Sequence, residues 1–199
     1  LPQLAEQCAN CHAAEKLAYA AQLMNDAVAP DLATGKLVVT GVTFPAGTVT
    51  PTVSFTLYSD AAGTTPFSLP AVNGEPRANF RFTAAKQIAA TTAENATWNY
   101  YTIGERSVGT ATQAVGTLAN TGPGTYTYTF KTDIAAISTV PYDATAITRF
   151  GIQTGNDQVF ANGTLDVTPP AQLVGGAGTP ATVAPIVTTA ACNQCHDRL

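Results

Sequence analysis

Histidine is almost missing from this chain. It has two in 199 residues, with one methionine and one tryptophan. Charge is scarce as well. Asp, Glu, Lys and Arg make up 11% of the residues, against about 25% in an ordinary soluble domain. The nine Lys and Arg residues are scattered and form no basic stripe, and the formal net charge is −4. That balance excludes a nucleic-acid partner, which would need a concentrated positive surface. No apolar run is long enough to cross a bilayer as a helix. Neither a signal-peptide pattern nor a lipidated N-terminal cysteine is seen. The chain opens on Leu1-Pro2-Gln3-Leu4 rather than a translational start, so a mature chain or an internal fragment is expected. Alanine and threonine fill the space that charge leaves, at about a third of all residues. Hydroxyls and backbone, more than ions, solvate such a surface.

What cysteine and histidine there is falls in two places. Cys8-Ala9-Asn10-Cys11-His12 and Cys192-Asn193-Gln194-Cys195-His196 use up all 4 cysteines and both histidines. Each reads C-x-x-C-H, the attachment signature of c-type haem. Thiols at i and i+3 share one side of a helical turn, where each can add to a haem vinyl group and form a thioether. The adjacent imidazole then faces the iron. Cys8, Cys11, Cys192 and Cys195 are thus the candidate anchors of two covalently attached c-type haems. His12 and His196 are the candidate proximal ligands. Three other chemistries use C-x-x-C. A redox dithiol lacks its usual βαβ context here and needs no neighbouring histidine. A Cys₄ zinc site joining the two motifs leaves both histidines without a role. A disulfide inside each motif is strained by its short loop.

Between the motifs the sequence reads as β structure. Residues 1–33 form a first haem-binding segment, with a helix expected over about 13–28 from Leu17, Ala20, Ala21, Met24 and Val28 and ended by Pro30. Residues 34–170 are expected to fold as a β domain. Strands are predicted over Leu37–Phe44, over Thr52–Tyr58 with Val53, Phe55 and Leu57 inward, and over Asn79–Thr83 with Phe80 and Phe82 inward. Residues 64–76 read as a loop and 84–95 as a helical turn or loop. Trp98 is expected in the core of the next strand with Tyr100 on its face, and a place as a π-bridge near haem is the alternative. A turn at 120–124 leads into Thr125–Lys131, with Tyr126, Tyr128 and Phe130 on one face. Strands over Ala144–Ile152 and Thr164–Thr168 follow. Residues 171–199 hold a Gly/Ala/Pro-rich linker, 173–185, and the second motif. About seven short strands at even spacing suit an all-β, antiparallel sandwich or split barrel flanked by short helical haem-binding segments.

The axial ligands do not add up within the chain. Two low-spin haems need four, and the histidines supply two. Met24 is the one methionine and a candidate distal ligand. Tyrosine, lysine, water or the N-terminal amine are weaker donors. Otherwise the distal histidines come from other haem domains or chains. A vacant distal face would make an open-iron, peroxidase-like site, with Arg198 the nearest arginine in sequence. A third reading makes the β domain a structural or interaction module that links haem domains. An electron carrier is expected ahead of a substrate-converting enzyme.

The stretch Ala190–Leu199 resembles a segment of the outer-surface decahaem c-type cytochromes of metal-reducing bacteria. So does the start of the β domain, Thr34-Gly35-Lys36-Leu37-Val38-Val39-Thr40. Trp98 with Tyr100 or Tyr101, and Gly124–Phe130, are similar to their β domains too. The likeness covers most of residues 31–199. It implies Greek-key β domains alternating with multihaem domains and closely spaced bis-histidine haems. It implies haem attachment outside the cytoplasm and a place at the extracellular or outer-membrane surface, with the periplasm as the alternative. The partners it implies are an outer-membrane electron conduit, flavins and metal oxides. In the family a distal histidine follows the matching Cys-His-x-x-Leu stretch almost at once. This sequence ends at Leu199, so it is expected to be a two-haem portion of a longer chain.

Overall fold

Alternation between apolar and hydroxyl side chains sets which face of each strand turns inward. In the computed structural model the described residues are 35–183, apart from 73, 77, 90–95, 108–114, 138, 155–159, 161 and 172–173. They form an antiparallel β sandwich. The longer strands are β1 (Lys36–Phe44), β2 (Thr52–Tyr58), β5 (Arg81–Ile88), β6 (Thr97–Arg106), β7 (Thr117–Gly122), β8 (Thr125–Thr129), β9 (Thr148–Gln153) and β10 (Gly163–Thr168). Four more are two residues long: β3 (Ala71–Val72), β4 (Glu75–Pro76), β11 (Gly176–Ala177) and β12 (Thr179–Pro180). No helix among the described residues is long and apolar enough to cross a membrane.

One sheet runs β11-β1-β2-β8-β7 and the other β12-β10-β9-β5-β6, with β3 and β4 as a separate ribbon. Hairpins alternate between the sheets: β1–β2 in the first, β5–β6 in the second, β7–β8 in the first, β9–β10 in the second. Within each sheet the two hairpins zip together, through β2–β8 and through β5–β9. The final pair, β11 and β12, gives one strand to each sheet, beside β1 and β10.

The core is aromatic. Phe82 and Tyr128, from opposite sheets, stack with centroids 3.6 Å apart and nearly parallel planes. Phe130 sits edge-on to both Phe82 and Tyr128 and also to Phe150. Phe55 stacks on Tyr126 at 5.6 Å. Such pairs add about 0.5–1.5 kcal/mol each beyond the area they bury. On the outer face, Thr52 and Thr129 lie opposite one another and their hydroxyls bond at 2.9 Å, the cross-strand use of threonine expected on a wet face.

Several local expectations change. In β1 the buried positions run Leu37, Val39, then Val42, Phe44. A bulge leaves Thr40 unpaired and resets the alternation. Residues 84–88, expected as a turn or loop, continue β5, with Ala84 and Ala85 both buried. Two register irregularities in the β5–β6 pairing shift the faces of β6. Tyr101 is consequently the core tyrosine at 4% exposure, while Tyr100 stands outside at 52%, so Trp98 and Tyr100 do not belong to the core. Strand β7 replaces part of what reads as a turn. Strand β9 begins at Thr148, four residues later than expected, because Asp143 caps a turn by accepting from the Thr145 N–H at 2.8 Å. The ribbon β3–β4 lies inside the expected loop 64–76, and β11 and β12 inside the expected linker 173–185. The helix expected over 13–28 lies outside the described residues.

Candidate functional site

Cys8, Cys11, His12, Met24, Cys192, Cys195, His196 and Arg198 all lie outside the described residues. Every cysteine and histidine of the chain is among them. Among the described residues no group of three or more His, Cys, Asp or Glu is placed to hold a metal ion.

The sandwich fixes where the flanking segments join it. At the start of β1, Gly35 bridges Phe160, and a side chain at Gly163 would meet Leu37 and Val39. The beginnings of β1 and β10 therefore share one pole. Strand β11 pairs with the far end of β1, at Thr43 and Phe44. Strand β12 then runs antiparallel to β10, with Pro180 opposite Val167 and the Ala181 N–H on the Asp166 carbonyl at 2.8 Å. The chain from Ala181 to Val183 thus heads back toward the pole where β1 begins.

Two clusters of polar groups stand out in the sandwich itself. The first is buried. Glu105, on β6, is fully enclosed. Its carboxylate accepts from the Tyr128 hydroxyl at 3.1 Å and from the backbone N–H groups of Lys131 at 2.7 Å and Thr132 at 2.8 Å. These three donors come from β8 and the chain just after it, so Glu105 bolts the second sheet to the first. Burial, then the Glu105 charge, push the Tyr128 phenol well above its ordinary range. All of Glu105's bonds go to the protein's own groups, which marks a structural rather than a chemical role.

The second cluster lies on the outer face of the second sheet. Pairing lines up Tyr100, Ala85, Arg149 and Asp166 across β6, β5, β9 and β10. The next row on that face is Thr83, Gly151 and Thr164. Ala85 and Gly151 present almost no side chain, so the taller residues around them leave a groove of about 210 Å³. Arg149 is held twice by Asp166, from Nε at 2.7 Å and from Nη2 at 2.8 Å. Its guanidinium lies 4.3 Å from the centre of the Trp98 ring, a cation–π contact. The hydrogen bond to Asp166 raises the Arg149 pKa further. The sequence singles out Trp98 and Tyr100 but not Arg149, Asp166 or Gly151. They are spread over four strands, and pairing alone brings them together.

The fold has known counterparts. It is similar to that of MtrC from Shewanella baltica OS185, at 24% identity and a TM-score of 0.57, over 82% of this chain and 26% of that one. It is also similar to the outer membrane decaheme cytochrome OmcA, at 21% identity and a TM-score of 0.52, over 84% of this chain and 27% of that one. The chain spans about a quarter of the length of each. At these identities the likeness is one of fold. No family model and no curated protein matches the chain.

Proposed function

We propose that this chain is a two-haem portion of an outer-surface multihaem c-type cytochrome and carries single electrons in extracellular respiration. One observation carries the reading: two C-x-x-C-H motifs flank a β sandwich whose fold is shared with MtrC and OmcA. The division is a haem-binding segment at 1–33, a β domain at 34–170 whose sheets are completed by β11 and β12 from the linker, and the second haem-binding segment within 171–199.

The donor sets fit c-type haem. In each motif two thiols three residues apart suit the two thioethers, and the following imidazole suits the iron. When bound, each haem supplies a one-electron Fe(III)/Fe(II) couple. Cys8 and Cys11, and Cys192 and Cys195, fix the porphyrin edges. His12 and His196 are the proximal ligands, and each holds its orientation by donating its other ring N–H to a carbonyl or carboxylate. Distal donors are histidines of other haem domains or chains, with Met24 the alternative within this sequence. The partners are an outer-membrane electron conduit, together with flavins or metal oxides, at the cell surface. Gly35 and Ala181–Val183, the first and last described residues of the sandwich, lie toward one pole of it.

Intact mass and absorption of the purified, matured protein test this. The expected result is the polypeptide plus two haems, with a Soret band and a low-spin reduced spectrum. The paired substitutions Cys8→Ala and Cys11→Ala are expected to leave one haem. A colourless protein with its four sulfurs on zinc or in disulfides overturns the reading. High-spin iron that binds CO replaces electron transfer with open-iron chemistry.

A further inference from the structure

The groove on the outer face of the second sheet has no cysteine or histidine among its described lining residues. Its residues are unlike the rest of the threonine-covered surface. Tyr100 lines the groove and is 52% exposed, which leaves about half of its surface open to a ligand. Arg149 is the cation of the groove, and Asp166 opposite it cancels the charge. What remains to bind is an aromatic face and neutral donors and acceptors, including the amides of Gln153 and Asn162. The Asn162 side-chain oxygen already accepts from the Thr154 N–H at 3.1 Å, which aims the amide. Gly151 keeps the floor low, since a Cβ there would sit 2.6 Å from the Thr83 hydroxyl.

Three properties of the ligand follow. It is uncharged, because no unbalanced charge lines the groove among the described residues. It is about one ring in size, since the volume is below the range of about 300–1,000 Å³ typical of drug-sized ligands. It has an apolar face for Tyr100 and hydroxyls around its edge for the amides. A planar heteroaromatic satisfies the first contact but wastes the rim. An anion satisfies neither.

We infer that this groove binds one pyranose ring of a neutral polysaccharide, the C–H face of the sugar lying on Tyr100 and its hydroxyls on the amides of Gln153 and Asn162. The Trp98–Arg149–Asp166 stack makes the rigid wall behind it. The site lies wholly within the described β sandwich, so it stands or falls apart from the haem reading.

The test is affinity electrophoresis of the full, matured chain in native gels cast with dextran, laminarin or galactomannan. At least one of these is expected to retard the protein. Tyr100→Ala is expected to weaken the retardation roughly tenfold or more, the usual effect of removing an aromatic anchor. Gln153→Ala is expected to weaken it less, and Val174→Ala, on an exposed residue away from the groove, to leave it unchanged. Tyr100 and Gln153 are both exposed, so these variants keep the fold, which far-UV circular dichroism checks. Trp98 is the chain's sole tryptophan, and its emission is expected to change with the retarding polysaccharide. Migration unaffected by all three polymers overturns the proposal. So does retardation that Tyr100→Ala leaves intact, and so does binding confined to dextran sulfate and abolished by salt. A Trp98 response to flavin mononucleotide but to no sugar assigns the groove to a planar ring instead.

Discussion

Glu105, fully buried, holds two backbone N–H groups and a phenol. Glu105→Gln keeps the shape but sets an amide NH₂ against one of those N–H groups. An unmet buried donor costs about 1–3 kcal/mol, so the variant is expected to lose about 2–3 kcal/mol. A lower urea midpoint with an unchanged slope would show it. Tyr101 lies at the opposite extreme, since its buried hydroxyl has no partner at bonding distance among the described residues. Asp60 makes a pH-dependent contribution. Its carboxylate accepts from the N–H groups of Thr64 and Thr65, and these bonds, Thr64 first, lower its pKa from 3.8 to about 2. Because the folded value is the lower one, the stabilisation is present above the unfolded pKa and lost as pH falls through about 2. A carbon-detected titration of Asp60 should show that midpoint, and Asp60→Asn should flatten stability between about pH 4 and pH 2. Neither carboxylate is conspicuous in the sequence. Asp60 sits in a turn that the sequence marks. Glu105 lies on a strand whose inward face only the pairing with β5 reveals.

Among the elements, strands with clean alternation are the ones that sequence reads well. Thr52–Tyr58 matches β2 at both ends, and Tyr126, Tyr128 and Phe130 all point inward as expected. The β7–β8 hairpin depends on Gly124, whose φ is +66° and whose added Cβ would lie 2.8 Å from the Leu57 carbonyl. Left-handed backbone is costly for alanine, and that carbonyl belongs to a strand that cannot give way. Gly124→Ala is therefore expected to cost about 1–3 kcal/mol, measurable by thermal or urea unfolding. Bulges explain the misread elements. Each extra residue exchanges the two faces of a strand, so a period of two carried through Thr40 or along β6 sends the wrong side chains inward. Strand β5 beyond Thr83 is hidden because Ala84-Ala85-Lys86-Gln87 suits a helix as well as a strand by composition. Strands β11 and β12 are too short to leave any periodicity, and only the waiting edges of β1 and β10 make them strands.

At the scale of the whole molecule, the proposed haem sites and the outer-face groove are legible in different ways. The proposed haem-attachment residues are plain in the sequence because that chemistry requires a fixed local spacing. The outer-face groove is invisible there because it is assembled from four strands. The sandwich also carries its own consequence. A domain whose first strand begins at the pole toward which its last residues return is, topologically, an insertion. It can be lengthened, decorated or replaced at its far loops without altering the distance between its own first and last residues. Selection on whatever those loops touch is thereby uncoupled from selection on the spacing of the two points where the chain enters and leaves the sandwich.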